Sequence, residues 1–404
     1  MIKNNITFDF DQRISRHATG SVKWDALGKV FGSEDILPLW IADMDFPSPE
    51  AVSTKLNERA SHPIYGYNTQ ESSLYQSIIE WLKRRHGWEI EKDWILFAPG
   101  VVPSITLSIL ALSEPGDGII IQPPVYPPFF DSIKDNNREV VENPLVFKDS
   151  LYEIDFEDLD KKLSNPKNKL LLLCSPHNPV GRVWREEELR KIYELCQKYK
   201  VDVLSDEIHS DLVFDGHKHT VFASLGTPIC KQSVTFMAAS KTFNVAGLNF
   251  SFIIVPCKRR RALIEGWMHR LHMNRNNLFG VLATEVAYQE GNAWLDALLS
   301  YLEENADVLV DFVKTRLIGV KVNKPEGTYL AWLDFRAYFT DAKELEHFLV
   351  HTAKVGLNSG GNFGIQGKGF ARINLATQRS VLLEALTRIE KALKLKLSET
   401  TKHL

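Results

Sequence analysis

Short apolar runs alternate with amphipathic stretches through the middle of the chain, and this pattern predicts the main elements. The runs are typical of buried strands, whereas the stretches between them repeat apolar residues at helical spacing. Predicted strands lie within residues 93–100, 118–124, 169–176, 201–206 and 233–240, and predicted helices within 103–117, 128–137, 185–200 and 241–247. This alternation indicates an α/β fold with a mostly parallel central sheet that helices flank on both faces.

The pattern changes on both sides of this region. Residues 1 to about 45 are irregular, and a helical pattern from about 49 to 87 is interrupted at HPIYGYN. After about residue 275, long helical stretches alternate with a few short strands. The predicted division is a large domain at residues 49–285 and a smaller α+β domain formed by residues 1–48 and 286–404.

The composition is that of an ordinary soluble globular protein. Of the 404 residues, 44% are hydrophobic and 25% are charged, and the formal net charge is −3. Without a global basic excess, a function in binding nucleic acid or an anionic membrane is not expected. The basic cluster at residues 258–261 is interpreted as the solvated start of a helix.

The cysteines and the N-terminus favour a cytoplasmic location. The four cysteines are far apart and show no spacing typical of a metal site, so reduced thiols are expected. The opening sequence MIKNNITFDFDQR has no apolar segment of the kind found in secretory signals. No apolar run approaches the roughly 20 residues that a membrane-spanning helix needs.

Polar or conformationally special residues follow the predicted strands. They are Gly100, Tyr126, Asn178, Asp206, His209 and Lys241. Each has an ordinary interpretation as a turn, packing or capping residue. However, ligands of open α/β sheets bind outside the carboxyl ends of the strands, where these residues converge. The convergence favours a functional site.

Lys241 is the most informative of these residues. It follows an apolar strand and the small residues Ala238, Ala239 and Ser240. Burial removes hydration from an ammonium group and favours the neutral amine, which can condense with an aldehyde. Lys241 is therefore a candidate Schiff-base lysine. The alternative is a lysine that ends the strand and extends its ammonium group to solvent.

The whole set is chemically consistent with one cofactor, pyridoxal 5'-phosphate. Lys241 would bind the aldehyde, and the Asp206 carboxylate would keep the pyridine nitrogen protonated, so that the ring can accept electrons. Asn178 could donate a hydrogen bond to the ring oxygen, and Tyr126 offers an aromatic face to the ring. His209 is a further cofactor-binding candidate.

The cofactor phosphate needs a separate binding device. The phrase GVVPS lies between a predicted strand and a predicted helix, so the backbone N–H groups of Val101 and Val102 would face an anion at a helix N-terminus. The hydroxyl of Ser240 could add a further hydrogen bond.

Several separated motifs resemble one enzyme family. They are SRHATGSVKWD, LWIADMDF, SPHNPVGRVW, DEIH, SKTFNVAG, EGTYLAWLDF and FARINLA, and they extend over nearly the whole chain. Together they resemble the pyridoxal-phosphate enzymes of the aminotransferase-like fold, fold type I. The sequence is most similar to the cystathionine β-lyases of the pattern B type, with the cystalysin-like C-S lyases.

The resemblance implies roles for further residues. Tyr67 matches a tyrosine that reaches the cofactor phosphate of the neighbouring subunit, which implies a homodimer with shared active sites; Tyr65 is the competing candidate. Arg372 matches the arginine that binds the α-carboxylate of the substrate, as a planar guanidinium can do through two parallel bonds. Many relatives carry an arginine where this chain has Asn249 (241 + 8), so phosphate binding would depend more on the other groups.

The reaction expected from this resemblance is α,β-elimination of cystathionine, cystine or a related cysteine S-conjugate to pyruvate, ammonia and a thiol. Lys241 would remove the Cα proton, and Lys241 or Tyr126 would protonate the departing sulfur. Asp43 is a substrate-binding candidate together with Arg372 and Asn178. The alternatives are an aminotransferase, which needs the same groups, and a regulatory protein that retains the cofactor pocket.

Overall fold

A computed structural model describes residues 8–69, 71–148 and 151–402. The helices are α1 (Val22–Asp25), α2 (Leu27–Phe31), α3 (Glu50–Ser61), α4 (Ser72–His86), α5 (Val101–Leu112), α6 (Pro128–Lys134), α7 (Phe156–Leu163), α8 (Glu186–Tyr199), α9 (Thr227–Gln232), α10 (Ala239–Thr242), α11 (Lys258–Arg270), α12 (Leu278–Glu290), α13 (Asn292–Arg316), α14 (Ala342–His347) and α15 (Arg379–Lys402). No helix in the described part of the chain combines the length and apolar character needed to cross a bilayer.

The strands form two main sheets and two short pairs. They are β1 (Leu37–Pro38), β2 (Ile95–Ala98), β3 (Gly118–Ile121), β4 (Glu139–Glu142), β5 (Val146–Lys148), β6 (Leu151–Glu153), β7 (Asn168–Cys174), β8 (Asp202–Asp206), β9 (Ser233–Met237), β10 (Ser251–Ile254), β11 (Lys321–Val322), β12 (Leu330–Asp334), β13 (Val355–Gly356), β14 (Asn358–Ser359) and β15 (Phe370–Asn374).

The larger sheet has seven strands in the order β2-β10-β9-β8-β7-β3-β4. All neighbours pair in parallel except β10, which is antiparallel to both β2 and β9. The predicted mostly parallel α/β sheet is therefore confirmed. Because the carboxyl ends of β7, β8 and β9 lie side by side, the residues that follow these three strands meet at one edge.

Strand β7 shows how the sequence places this sheet in the core. Its central residues are four consecutive leucines, all fully buried. Side chains of a strand alternate between faces, so Leu170 and Leu172 pack in the cluster on one face and Leu171 and Leu173 in the cluster on the other. A continuous apolar run is what a strand covered by helices on both faces requires.

The smaller sheet is antiparallel, with the order β11-β12-β15-β14. Near it, β1 pairs in parallel with β13, which joins the N-terminal segment to the C-terminal third of the chain. The N-terminal segment also reaches the carboxyl edge of the larger sheet, where the carbonyl oxygen of Ala42 accepts a hydrogen bond from Lys241. The boundaries of the two predicted domains stay a prediction.

Three features of the larger sheet and of the connection after β9 differ from the predicted pattern. Strands β4 and β10 were not predicted, and residues 241–247 form no continuous helix but only the end of α10 and a 3₁₀ turn at Ala246–Leu248. Since no long crossover helix connects β9 to β10, the chain returns antiparallel. The basic cluster at residues 258–261 does begin a helix, α11.

Candidate active site

An inner cavity lies at the carboxyl edge of the larger sheet. It is lined by Ala42, Val101, Val102, Tyr126, Cys174, Asn178, Asp206, Ile208, His209 and Lys241. Most of the candidates that follow predicted strands therefore meet around one space.

Lys241 reaches this cavity because β9 ends at Met237 and the short helix α10, which contains Lys241, follows directly at the carboxyl edge of the sheet. Its Nζ donates a hydrogen bond of 2.6 Å to the carbonyl oxygen of Ala42. Burial and the charge of Arg372 lower the pKa of Lys241 to about 8, although Asp43 and Asp206 oppose the shift. A substantial fraction of this amine is therefore neutral near physiological pH.

Asp206 is the last residue of β8, the strand beside β9. The side chain is almost completely buried, and its Oδ1 accepts a hydrogen bond of 3.2 Å from the backbone N–H of Ile208. Burial raises the pKa of Asp206 to about 7, with Glu207 adding to the rise and Ile208 and Lys241 opposing it. A buried carboxylate of this kind gains much from a cationic ligand.

Arg372 comes to the same site from the smaller sheet, where it lies in the middle of β15. Its guanidinium donates to Asn178 Oδ1 at 3.1 Å and to the carbonyl oxygen of Trp40 at 2.8 Å. Burial lowers the pKa of Arg372 to about 10. Within the described residues its Nε has no hydrogen-bond partner, so the guanidinium keeps donor capacity for an anion.

Two aromatic side chains complete the walls. Burial and the charge of Asp206 raise the pKa of Tyr126, so this phenol stays protonated. Burial lowers the pKa of His209 to about 3, with the charges of Lys241 and Arg372 contributing, so His209 is neutral. His209 Nδ1 also lacks a partner among the described residues.

The N-terminus of α5 faces the cavity through Val101 and Val102. No side chain in the described part of the chain caps this helix, and the residue before it is Gly100. Its first N–H groups are therefore open to an anion. Ser240 is half-buried next to Lys241 but does not line the inner cavity.

Asp43 lies at an outer cavity of about 570 Å³ on the other side of Lys241 and Ala42. This outer cavity is lined by Ile14, Arg16, Gly20, Val22, Ile41, Ala42, Asp43, Met44, Asp45, Phe46, Pro47, Lys241, Asn244, Ala246 and Gly247. Ala42 and Lys241 line both cavities.

The two tyrosines of YGYN lie away from both cavities of the chain that holds them. Tyr67 is 89% exposed and lies under the guanidinium of Arg275, whose carbon is 4.2 Å from the ring centre. Tyr65 donates a hydrogen bond of 2.7 Å to the carbonyl oxygen of Ala60. Asn249, where an arginine occurs in many relatives, is exposed in a left-handed backbone conformation with φ of 49°.

Asp43 of the N-terminal segment was a candidate from the sequence, but two other parts of the site were missed: the backbone of Ala42 and the side chain of Tyr329, the residue before β12. The carbonyl oxygen of Ala42 accepts hydrogen bonds from both Lys241 and Tyr329, the latter at 3.0 Å. Tyr329 is fully buried, and burial raises the pKa of its hydroxyl. Both residues stand in motifs already noted, IADMDF and EGTYLAW, but a backbone carbonyl leaves no signal in a sequence.

The residues around the inner cavity fit pyridoxal phosphate. An amine that is partly neutral, a buried carboxylate without a cationic partner, an aromatic wall and an uncapped helix N-terminus match the aldehyde, ring nitrogen, ring face and phosphate of this molecule. Arg372 Nε has no partner among the described residues and keeps donor capacity for a further oxygen atom, and His209 Nδ1, also without a partner there, can donate or accept according to its tautomer. Among the described residues no group of three or more His, Cys, Asp or Glu could hold a metal ion.

Comparisons with known proteins give the same assignment. The model of the family "Aminotransferase class I and II" matches residues 34–389. The chain is 46% identical over 385 residues to cystathionine beta-lyase PatB of Bacillus subtilis (strain 168), covering 95% of this chain and 100% of that protein.

Two solved structures have the same fold. Cystalysin from Treponema denticola, which contains a pyridoxal 5'-phosphate cofactor, is 39% identical with a TM-score of 0.94, covering 96% of this chain and 99% of the other. The PLP-bound C-S lyase from Staphylococcus hominis is 33% identical with a TM-score of 0.89, at the same coverage.

Proposed function

The chain belongs to the aminotransferase class I and II family, and we propose that it acts as a pyridoxal-phosphate-dependent carbon–sulfur β-lyase. The enzyme converts a cysteine S-conjugate and water to pyruvate, ammonia and a thiol; cystathionine and cystine are the proposed substrates. The observation that carries this proposal is that Lys241 and Asp206 line one inner cavity, with Arg372 of the smaller sheet bonded to Asn178 in the wall of the same cavity.

Each residue has a defined task in holding the cofactor. Lys241 would hold the aldehyde, Asp206 the ring nitrogen and Asn178 the ring oxygen, while Tyr126 would cover the ring. The N-terminus of α5 would bind the phosphate through Val101 and Val102. When bound, pyridoxal phosphate supplies a protonated ring that takes up the electron pair left at the substrate Cα.

The remaining steps depend on proton transfer and orientation by the chain itself. Arg372 binds the α-carboxylate of the substrate and fixes the direction of the Cα–H bond. After the substrate amine has displaced it from the aldehyde, the freed Lys241 Nζ, whose pKa is lowered to about 8 chiefly by burial, removes the Cα proton as the general base. Either Lys241 or Tyr126 then gives a proton to the departing sulfur.

The test is elimination without a second substrate. Purified protein supplied with pyridoxal phosphate is incubated with cystathionine and no keto acid, and pyruvate and thiol are measured. We expect equal amounts of both. Turnover only after a keto acid is added would identify an aminotransferase instead.

Lys241→Ala separates catalysis from a purely regulatory role. Loss of the general base should lower kcat by at least about 10³-fold. The matched control is Lys314→Ala, which removes an exposed lysine of α13 and should leave kcat unchanged. Elimination that persists in Lys241→Ala would overturn the assigned mechanism, and a regulatory protein would show a partner-dependent activity in both variants.

We further propose a homodimer in which Tyr67 completes the site of the second copy. Tyr67, Tyr65 and Ile64 are 89%, 57% and 67% exposed, and such neighbouring apolar side chains are usually covered by a partner. Mixing Lys241→Ala with Tyr67→Phe protein and allowing subunit exchange should restore activity, because one site of each mixed dimer then has both residues. Activity no greater than the sum of the two variants would contradict shared sites.

The free cysteines support a cytoplasmic location.

A further inference from the structure

The outer cavity continues from the place where Lys241 meets the substrate. Ala42 and Lys241 belong to the walls of both cavities, so a group that extends beyond the reacting end has about 570 Å³ of space available there. The wall of this space contains charged side chains from the N-terminal segment, which the mechanism above does not use.

Arg16, Asp43 and Asp45 of this wall form an ion-pair network with Lys23, which has two cations and two anions and therefore no net charge. Arg16 contacts Asp43 at 2.6 Å and Asp45 at 2.9 Å, and Lys23 contacts Asp45 at 2.7 Å and Asp43 at 3.7 Å. Trp24 Nε1 adds a hydrogen bond of 3.0 Å to Asp45. The network is therefore a fixed arrangement of charges rather than a set of mobile surface groups.

The two halves of the network differ in exposure. The side chains of Lys23 and Asp45 are 0% and 3% exposed, whereas those of Arg16 and Asp43 are 24% and 21% exposed. The buried half holds the outer half in place. The Arg16 guanidinium and the Asp43 carboxylate, joined by two hydrogen bonds of 3.0 and 2.6 Å, thus both line the outer cavity and are partly exposed.

We propose that the Arg16–Asp43 pair binds the far end of the substrate when that end is itself an amino-acid group. Its ammonium would face the Asp43 carboxylate and its carboxylate would face the Arg16 guanidinium. This inference depends on the proposed lyase function and narrows its substrate class to conjugates with a zwitterionic far end, such as cystathionine and cystine, over simple S-alkyl cysteines.

Two observations place the pair at a suitable position. Asp43 directly follows Ala42, whose carbonyl oxygen holds Lys241 Nζ at 2.6 Å. The charge of Asp43 also opposes the lowering of the pKa of Lys241 by burial and Arg372, so the two groups are within electrostatic range. Because the buried half of the network fixes the pair in advance, little side-chain order is lost on binding.

The first test uses the unchanged enzyme and four substrates that share the reacting end. They are cystathionine, S-(2-aminoethyl)cysteine, S-(2-carboxyethyl)cysteine and S-propylcysteine. We expect kcat/KM to fall in the order both charges, one charge, no charge, with cystathionine at least about tenfold above S-propylcysteine. An S-propylcysteine value equal to or above that of cystathionine overturns the proposal while leaving the lyase function intact.

The second test compares two ion-paired carboxylates, one inside and one outside the network. In Asp43→Asn, the ratio of kcat/KM for cystathionine over S-propylcysteine should fall at least about tenfold, mainly through KM. In Asp202→Asn, which alters a carboxylate paired with Arg260 away from both cavities, this ratio should stay within about twofold of the wild type. Equal ratios in wild type and Asp43→Asn overturn the inference. No pyruvate from any substrate overturns both the inference and the proposed function.

Discussion

The inner cavity and the N-terminal ion-pair network both contain buried charges, but they stabilise these charges in opposite ways. In the network each charge meets an opposite charge: burial alone would raise the pKa of Asp45, yet Lys23, Trp24 and Arg16 hold it below its usual value. In the inner cavity Lys241 donates to a neutral carbonyl group and Asp206 accepts from a neutral amide.

The difference separates the buried half of the network, Lys23 and Asp45, from the inner cavity. Where both charges of a pair are buried, the pair fixes a segment of chain and leaves little to gain from a ligand. Where a buried charge lacks an opposite charge, its pKa moves toward the neutral form, to about 8 for Lys241 and about 7 for Asp206. A charged ligand then removes the cost of burial, so shifted pKa values mark the place where one binds.

The largest effect is expected from Asp206→Asn in the inner cavity. The amide has nearly the same size but no charge, so it cannot keep a cationic ring protonated, and kcat should fall roughly 10³-fold, equivalent to about 4 kcal/mol. The measurements are kcat for pyruvate release and the visible absorbance of the holoenzyme.

Asp202→Asn is the matched control for this change, since Asp202 begins the same strand and is paired with Arg260 at 2.6 Å. It should keep kcat within about twofold of the wild type. If Asp206→Asn keeps more than about a tenth of the wild-type kcat, our inference that a buried carboxylate without an opposite charge marks the cofactor site is wrong.

A smaller effect, on stability rather than on catalysis, is expected from Lys23→Met in the network. Removing one member of a buried ion pair typically costs about 3 to 5 kcal/mol, and the loss here should be near 3 kcal/mol because Arg16 still neutralises Asp45. Urea unfolding measures it. The control is Lys55→Met, whose lysine pairs with Glu58 on an exposed helix surface and should contribute nothing measurable.

The double variant Lys23→Met with Asp45→Leu sharpens the argument. It removes both buried charges, so it should recover part of the stability lost in Lys23→Met. A double variant less stable than the single one would show that Asp45 supports the segment through Trp24 and Arg16 more than through Lys23.

The two regions also differ in how much of them the sequence could predict. Lys241, Asp206 and Asn178 follow apolar strands of the larger sheet, and the period of those strands is enough to place them at one edge. The mostly parallel sheet was predicted for the same reason. Strand β10 was not predicted, because the short connection after Lys241 contains no long helix of the kind that usually precedes the next parallel strand.

The N-terminal part of the site could not be placed in this way. Residues 16–45 have no regular period, so nothing in the sequence shows that Lys23 is buried against Asp45 or that Ala42 lies over Lys241. These contacts join residues far apart in sequence through tertiary structure alone. The role of Tyr67 remains a prediction, since a single chain contains only half of each proposed shared site. The domain boundaries also remain a prediction.

The smallest of the predicted effects is the loss of stability at acid pH caused by His177, which lies next to the inner-cavity residue Asn178. It is fully buried beside Asn178, with Nε2 2.9 Å from the carbonyl oxygen of Pro124, and burial lowers its pKa to about 4. The unfolded chain takes up this proton near pH 6.5, whereas the folded chain does so only near pH 4. The stability contributed by neutral His177 is therefore complete above pH 6.5 and is lost as the pH falls toward 4.

At pH 5 this loss amounts to about 2 kcal/mol, from roughly 1.5 pH units at about 1.4 kcal/mol each. The paired Asp45, whose pKa is lowered, contributes a loss only at a pH below this range. Unfolding free energies of the holoenzyme at pH 7.5 and 5.0, for wild type and His177→Gln, isolate the effect because all other groups titrate alike in both. The wild type should lose about 2 kcal/mol more than the variant. Equal losses would mean that protonation of His177 does not destabilise the folded chain. Buried groups without an opposite charge would then be sensitive to pH only in the walls of the inner cavity.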